Sequence, residues 1–217
     1  FTLFLEELFR RWKALDVTHS ISVVFFARSY LAGSEAAPSP DDDPSPLGAG
    51  KSTRHKDVDG RVYEDHYLPV VENVTASDWS GLVHQVKVAF CSFPERVGWH
   101  VSPRGVRVPS VAKQGNVLEA INTTLNVLQY HYMDRDLTRT GNSIVVVSPG
   151  DGVFEVDRSL AAVTRQRMMD CGVGSDCICL ALPPLHVTPF FVYKKSEADA
   201  AADAAGGGGE GDWKKHF

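Results

Sequence analysis

Segments with a helical period alternate along this chain with apolar runs too short to be helices, and that alternation limits the fold more than any other feature. The clearest helical stretch carries Leu118, Ile121, Leu125, Leu128 and Tyr132, spaced 3, 4, 3 and 4 residues apart, so all five share one face. An opening helix places Leu5, Leu8, Trp12 and Leu15 on one side, with Glu6, Glu7, Arg10, Arg11 and Lys13 between them. Another follows Ser77 or Asp78 as N-cap and aligns Trp79, Leu82, Val83, Val86 and Phe90. A last one aligns Leu160, Ala161, Thr164, Met168 and Cys171, with Asp157 capping its start and Gly172 ending it.

Strand-like runs lie between these helices at residues 21–26, 62–71, 144–147, 177–182 and about 187–193, with a short one near 99–101. The first is apolar almost throughout, as strands buried on both faces are. The second contains Pro69, which suits an edge. The alternation predicts an α/β fold: a mostly parallel sheet with helices on both faces. Phe1 already stands in a helical pattern, so the expectation is a segment of a longer polypeptide whose first strand lies outside it.

Residues 33–56 break the pattern. Pro38, Pro40, Asp41, Asp42, Asp43, Pro44 and Pro46 among Gly, Ser and Ala bury too little surface to offset their ordering entropy, which predicts a disordered insertion. The expected organisation is one α/β domain over residues 1–195, a flexible Ala- and Gly-rich linker over 196–211, and the start of a further segment at 212–217. A formal charge of −5 with no basic stripe argues against a nucleic-acid partner. Cys91, Cys171, Cys177 and Cys179 make no disulfide framework at this length, and reduced thiols in an intracellular protein are expected.

Each motif that suggests chemistry meets a plainer explanation. Gly48-Ala49-Gly50-Lys51-Ser52-Thr53 resembles the end of a phosphate-binding loop, but Ser45 stands where the first glycine is needed and no strand precedes it. Cys171, Cys177 and Cys179 lack zinc-site spacing and read as small buried hydrophobes. The members of Tyr63-Glu64-Asp65-His66-Tyr67 fall on opposite faces of a strand. Ser148-Pro149-Gly150-Asp151-Gly152 follows a strand's carboxyl end, where open α/β sheets bind ligands, with Glu155 and Asp157 just beyond. Paired carboxylates there suit a hard cation or acid–base work, whereas turn and cap chemistry accounts for them locally. No catalytic, cofactor-binding or metal-ligating residue is assigned. Asp151 and Glu155 are taken as candidate partner-binding residues, because sheet-end loops are where such domains engage other molecules.

Three longer stretches carry a resemblance. They are Gly60-Arg61-Val62-Tyr63-Glu64-Asp65-His66-Tyr67, Gln114-Gly115-Asn116-Val117-Leu118-Glu119-Ala120-Ile121-Asn122, and Arg139-Thr140-Gly141 through Ser148-Pro149-Gly150 to Arg167-Met168. Together they resemble the N-terminal conserved region of the vacuolar-membrane-associated Iml family, whose animal member is the DEP-domain-containing subunit of the GATOR complex. The element order is also similar to a von Willebrand factor A-type domain, with Asn116 at the position of a metal-binding threonine and Pro149 at that of an aspartate. The resemblance implies a non-catalytic scaffold in a complex that activates GTP hydrolysis by Rag GTPases and restrains TOR signalling when amino acids are scarce. It implies nitrogen-permease-regulator-like subunits, one of them carrying the catalytic arginine, and other domains of the same polypeptide as partners. Rag GTPases would be reached through the assembled complex, at the cytosolic face of the lysosome or vacuole membrane. No cofactor is implied. The alternative is a metal- or nucleotide-binding α/β enzyme domain using the loop after Val147.

Overall fold

The computed structural model describes residues 2–16, 19–33, 54–57, 59–75, 79–102, 105–131, 141–150, 152–184 and 190–193. These fall into two compact units, one ending at Ser110 and one beginning at Val111. In the first, helix α1 (Thr2–Ala14) leads into strand β1 (Ile21–Gly33). Strands β2 (Arg54–Lys56) and β3 (Val62–Val74), helix α2 (Ser80–Arg96) and strands β4 (His100–Ser102) and β5 (Gly105–Pro109) follow. The five strands form one sheet in the order β2-β3-β1-β5-β4, antiparallel at every pairing.

This corrects the expectation of a mostly parallel sheet, and the connections explain why. Parallel neighbours need a crossover long enough to return the chain to the same end, normally a helix. No helix stands between β2 and β3 or between β4 and β5, so β3 turns back on β2 and β5 on β4, with β1 between the two hairpins. The ladder between β1 and β3 runs from Ile21↔Val74 to Leu31↔Val62. Strand β1 therefore extends well past residue 26, and most of its residues are half-buried rather than enclosed on both faces. Among the described residues Pro69 lies at an edge: β2 pairs with β3 only at Val62–Glu64, and no described strand pairs with the outer side of β3 at Pro69.

Helices α1 and α2 cover the sheet face that carries Val23 and Phe25. Leu5, Phe9, Val71, Trp79, Leu82, Val83 and Val86 form the buried cluster, with Trp12 packed against it. Phe9 stacks on Trp79 with ring centroids 4.5 Å apart, and Phe93 meets Phe25 edge-on. The predicted face of α2 is buried from Trp79 to Val86, but Phe90 is exposed. Ser77 and Asp78 lie outside the described residues, and the N-cap position is Trp79, without a side-chain cap. Residues 34–53, including Lys51, also lie outside them, whereas Gly33 and Arg54–Lys56 of the expected insertion belong to strands.

The second unit opens with a short 3-10 turn (Ala112–Gln114) and helix α3 (Val117–His131). Strands β6 (Asn142–Ser148) and β7 (Phe154–Val156), helix α4 (Arg158–Cys171) and strands β8 (Val173–Cys179) and β9 (Phe191–Tyr193) follow. Here helix α4 does intervene, and β6 pairs with β8 in parallel; β7 pairs with β9 likewise. The α4 boundaries match the sequence signals. Asp157 Oδ1 accepts the Leu160 N–H at 2.7 Å, and Gly172 closes the helix at φ +63°. Leu118, Ile121 and Leu125 are buried as their spacing requires. Beyond them a polar seam joins α3 to α4: Asn122 donates to Thr164, and Arg167 donates to Asn122 at 2.7 Å and Asn126 at 2.6 Å. Among the described residues no helix is long and apolar enough to cross a membrane.

Leu125 has no solvent exposure and centres the α3 stripe. Leu125→Ala is expected to cost about 2–5 kcal/mol through the cavity it leaves, read from the shift in a denaturant midpoint. An unchanged midpoint would place this helix face in solvent.

Candidate functional site

The loop at the carboxyl end of β6 is assembled within the second unit. Ser148, the last residue of β6, is buried, and its Oγ accepts the Gly150 N–H at 3.2 Å. That turn brings Gly150 so close to the 3-10 turn that a Cβ placed there would lie 3.0 Å from the Ala112 methyl. Gly152 adopts φ +93°, and a Cβ on it would meet Cys179 Sγ at 2.8 Å; only glycine combines that conformation with that approach. Both glycines thus hold the loop down on its neighbours.

Of the two partner-binding candidates, Asp151 lies outside the described residues. Glu155 is on β7 rather than on the loop, its side chain only 19% exposed, and Oε1 is paired with Lys113 Nζ at 3.0 Å. Its Oε2 is buried with no hydrogen-bond partner. Glu155 is held against the 3-10 turn by Lys113. Asp157 takes the capping role, and its carboxyl is held below the usual range by the Ser159 hydroxyl and the Leu160 N–H.

The two positions that bear on a von Willebrand-type metal site do not fit a cation. Asn116 is fully buried just ahead of α3, and neither its amide oxygen nor its amide nitrogen has a partner. An amide that a ligated ion engaged through oxygen would still leave the nitrogen stranded, and Pro149 has no side-chain donor at all. Among the described residues no group of three or more His, Cys, Asp or Glu could hold a metal ion, whereas hard divalent ions want six or more oxygens.

The cysteines depart from their expected role. Cys177 is exposed rather than buried, and Cys171 and Cys179 are intermediate; Cys91, for which no burial was expected, is exposed. Cys177 and Cys179 point to one side of β8 with their sulfurs 3.9 Å apart. Partial desolvation by the surrounding chain, although the residue keeps an exposed side, together with the neighbouring Cys179 thiol pushes the Cys177 thiol up to about 11, so at neutral pH it is a poor nucleophile.

The densest polar cluster of the chain is in the first unit, where sequence reasoning found none. Its Tyr63–Tyr67 run does split between faces, as alternation requires. On one face Asp65 receives both arms of Arg28 at 2.8 and 2.9 Å, and Arg28 lies 4.0 Å over the Tyr63 ring. Arg61 lies 4.2 Å over Tyr30 and binds Asp57 at 2.8 Å. On the other face Glu64, 2% exposed, is bonded to Arg107 and has Arg54 at 3.8 Å. Apart from the Arg61–Asp57 pair, four residues apart, the closest of these contacts join residues more than thirty positions apart, Arg28 with Asp65 and Arg107 with Glu64, and no local spacing signals them.

Beside Glu64 stands an arrangement with the outline of a nucleophile and base. His66 Nε2 lies 3.0 Å from Ser29 Oγ. Ser29 has no solvent exposure, and its Oγ also accepts the Trp99 indole N–H at 2.8 Å. Trp99 donates in either case, while which of Ser29 Oγ and His66 Nε2 carries the shared hydrogen follows the imidazole tautomer. A fully enclosed hydroxyl cannot reach a substrate, so the trio ties β1 and β3 to the turn between α2 and β4.

The family model for the vWA-like domain of the vacuolar membrane-associated protein Iml1 matches residues 2–193. The chain is thus a von Willebrand factor A-like domain in class. It belongs to the Iml1 family. Among relatives, it is 39% identical over 192 residues to a DEP domain-containing protein of Dictyostelium discoideum, covering 88% of this chain and 8% of that protein. It is 37% identical over 198 residues to the GATOR complex protein Iml1 of Drosophila melanogaster, covering 89% of this chain and 12% of that protein. It is 38% identical over 215 residues to the vacuolar membrane-associated protein IML1 of Pyricularia oryzae, covering 88% and 11% respectively. The chain therefore spans about a tenth of the length of these relatives.

Two outcomes follow from this geometry. Burial holds the His66 imidazolium below its ordinary 6.5, with Glu64 and Asp65 opposing that shift and Arg107 adding to it. The unfolded chain then takes up this proton first, so the stability from neutral His66 is present above about pH 6.5 and lost as pH falls towards the lowered folded value. Urea midpoints between pH 7 and pH 5 should fall for the wild type and flatten in His66→Gln; parallel curves would exclude His66. Glu155→Lys should lower the unfolding free energy by about 1–3 kcal/mol, since it sets a second cation beside Lys113 in a largely enclosed place. An unchanged melt would mean that the side chain is free to swing into water.

Proposed function

We propose that this chain is a non-catalytic scaffold and interaction domain of a GATOR-type complex, which activates GTP hydrolysis by Rag GTPases and restrains TOR signalling in response to amino acids. The observation that carries the reading is the match of residues 2–193 to the Iml1 domain, with relatives that bear the names GATOR complex protein Iml1 and vacuolar membrane-associated protein IML1. On this reading the two units act as one domain. Its partners are nitrogen-permease-regulator-like subunits and the remaining domains of its own polypeptide. Rag GTPases are met through the assembled complex, at the cytosolic face of the lysosome or vacuole membrane, and the catalytic arginine sits on a partner.

The geometry supports this reading in two ways. The charged groups near the β6 loop are engaged with one another: Lys113 with Glu155, and Asp157 with its helix. Strand β6 also pairs only with β8 among the described residues, although Ile144, Val145, Val146 and Val147 give it the character of an interior strand. An open edge of that kind accepts a strand from another segment.

The test is assembly against chemistry. Complexes carrying Asp151→Lys should lose single-turnover GTP hydrolysis only in proportion to lost co-purification with the nitrogen-permease-regulator-like subunit. A complex that assembles fully yet loses the chemical step would overturn the reading. The rival, a metal- or nucleotide-dependent enzyme using the loop after Val147, would show as a thermal midpoint raised by magnesium nucleotide.

A further inference from the structure

The apposed thiols of β8 are explained neither by packing nor by the proposed scaffold role. Cys177 is exposed, so it is not a core residue, and its sulfur stands 3.9 Å from that of Cys179. Taken alone, the contact is a weak thiol–thiol hydrogen bond. Two further observations limit what else the pair can do. A disulfide needs Cβ atoms about 3.8 Å apart, whereas alternate residues of a strand are separated by about 6.6 Å along the chain. Closing that bond would break the β8 ladder, whose pairing with β6 runs through Cys177 to Cys179. By contrast, two metal–sulfur bonds of about 2.3 Å reach across 3.9 Å with an open angle between them and no backbone movement.

We propose that Cys177 and Cys179 form a two-thiolate site for a single soft, thiophilic ion of low coordination number, of the monovalent copper class. Thiolate ligands select soft ions, and two protein ligands suffice only for one that accepts few. Zinc would need further protein ligands, and the described residues form no such group. Each thiol gives its proton to solvent as its sulfur binds the ion, with no change of oxidation state. Cys179 is also the residue against which Gly152 closes, beside the Phe190 ring, which places an apolar wall at one side of the site.

The reduced chain would be titrated with monovalent copper against a competing chromogenic chelator. One equivalent per chain should be withheld from the chelator, with thiolate-to-copper charge-transfer absorption in the ultraviolet. Cys177→Ser and Cys179→Ser should each weaken binding by more than the roughly 100-fold that losing even an outer supporting group can cost. Cys91→Ser should bind as the wild type does. Wild-type affinity in either β8 variant, a matching loss in Cys91→Ser, or tighter binding of zinc than of copper would overturn the proposal. Should the β8 variants fail to fold, X-ray absorption of the copper-loaded wild type decides it: sulfur neighbours support the site, and a shell of nitrogen and oxygen alone sinks it.

Discussion

A carboxylate shut away from water has to be answered by cations, and in the first unit Glu64 sets that requirement. It sits on β3 at 2% exposure, bonded to Arg107 from β5, with Arg54 of β2 at 3.8 Å. Strand β1 runs between β3 and β5, so a charge on one and its counter-charge on the other fix the spacing across three strands. The energy of such a pair is not large in itself, because desolvation offsets most of the attraction. The penalty for breaking it is what matters: a register slip by one residue would turn Glu64 to the other face and leave Arg107 unpaired. The same slip would part Arg28 from Asp65 on the opposite face. Both faces of one ladder thus enforce one register.

The parts legible in sequence were those whose physics is local. Asp157 caps α4 through an N–H three residues on, Gly172 ends it because left-handed backbone favours glycine, and Leu125 is buried because its neighbours at three and four residues share its face. Sheet topology is not local. An apolar run such as 21–26 has the same appearance whether its neighbour runs parallel or antiparallel, and β5 pairs with β1 although most of a hundred residues separate their centres. Three-residue strands such as β2, β7 and β4 carry too few side chains to display a period. The candidate site was half legible for the same reason. The turn at Ser148–Gly152 follows from glycine and proline, but the pairing of Glu155 with Lys113 crosses more than forty positions.

Groups with catalytic potential here are consumed by structure. Ser29 and His66 are within hydrogen-bond distance, the spacing a nucleophile and its base would have, yet the indole of Trp99 occupies the serine oxygen and burial denies it a substrate. Chemistry requires a reacting atom at a surface or cleft, with donors waiting for the charge that develops. In this trio the serine oxygen is already engaged by both Trp99 and His66, and the net effect is to bind two strands to the turn that follows α2.

Two of the edge strands among the described residues, β2 in one unit and β6 in the other, differ in a way that bears on the scaffold role proposed above. Edge strand β2 reads Arg54-His55-Lys56, and consecutive cationic or polar side chains on a three-residue edge discourage another strand from adding. Strand β6 carries no charged residue from Asn142 to Ser148, and four consecutive β-branched side chains fill its middle. Natural proteins seldom leave such an edge bare, because its unpaired N–H and C=O groups recruit any extended segment. Among the described residues, then, β2 guards its edge with charge and β6 has β8 as its strand partner on one side. Backbone pairing along an edge gives binding without any reactive side chain, a mode of attachment that agrees with the scaffold role proposed above.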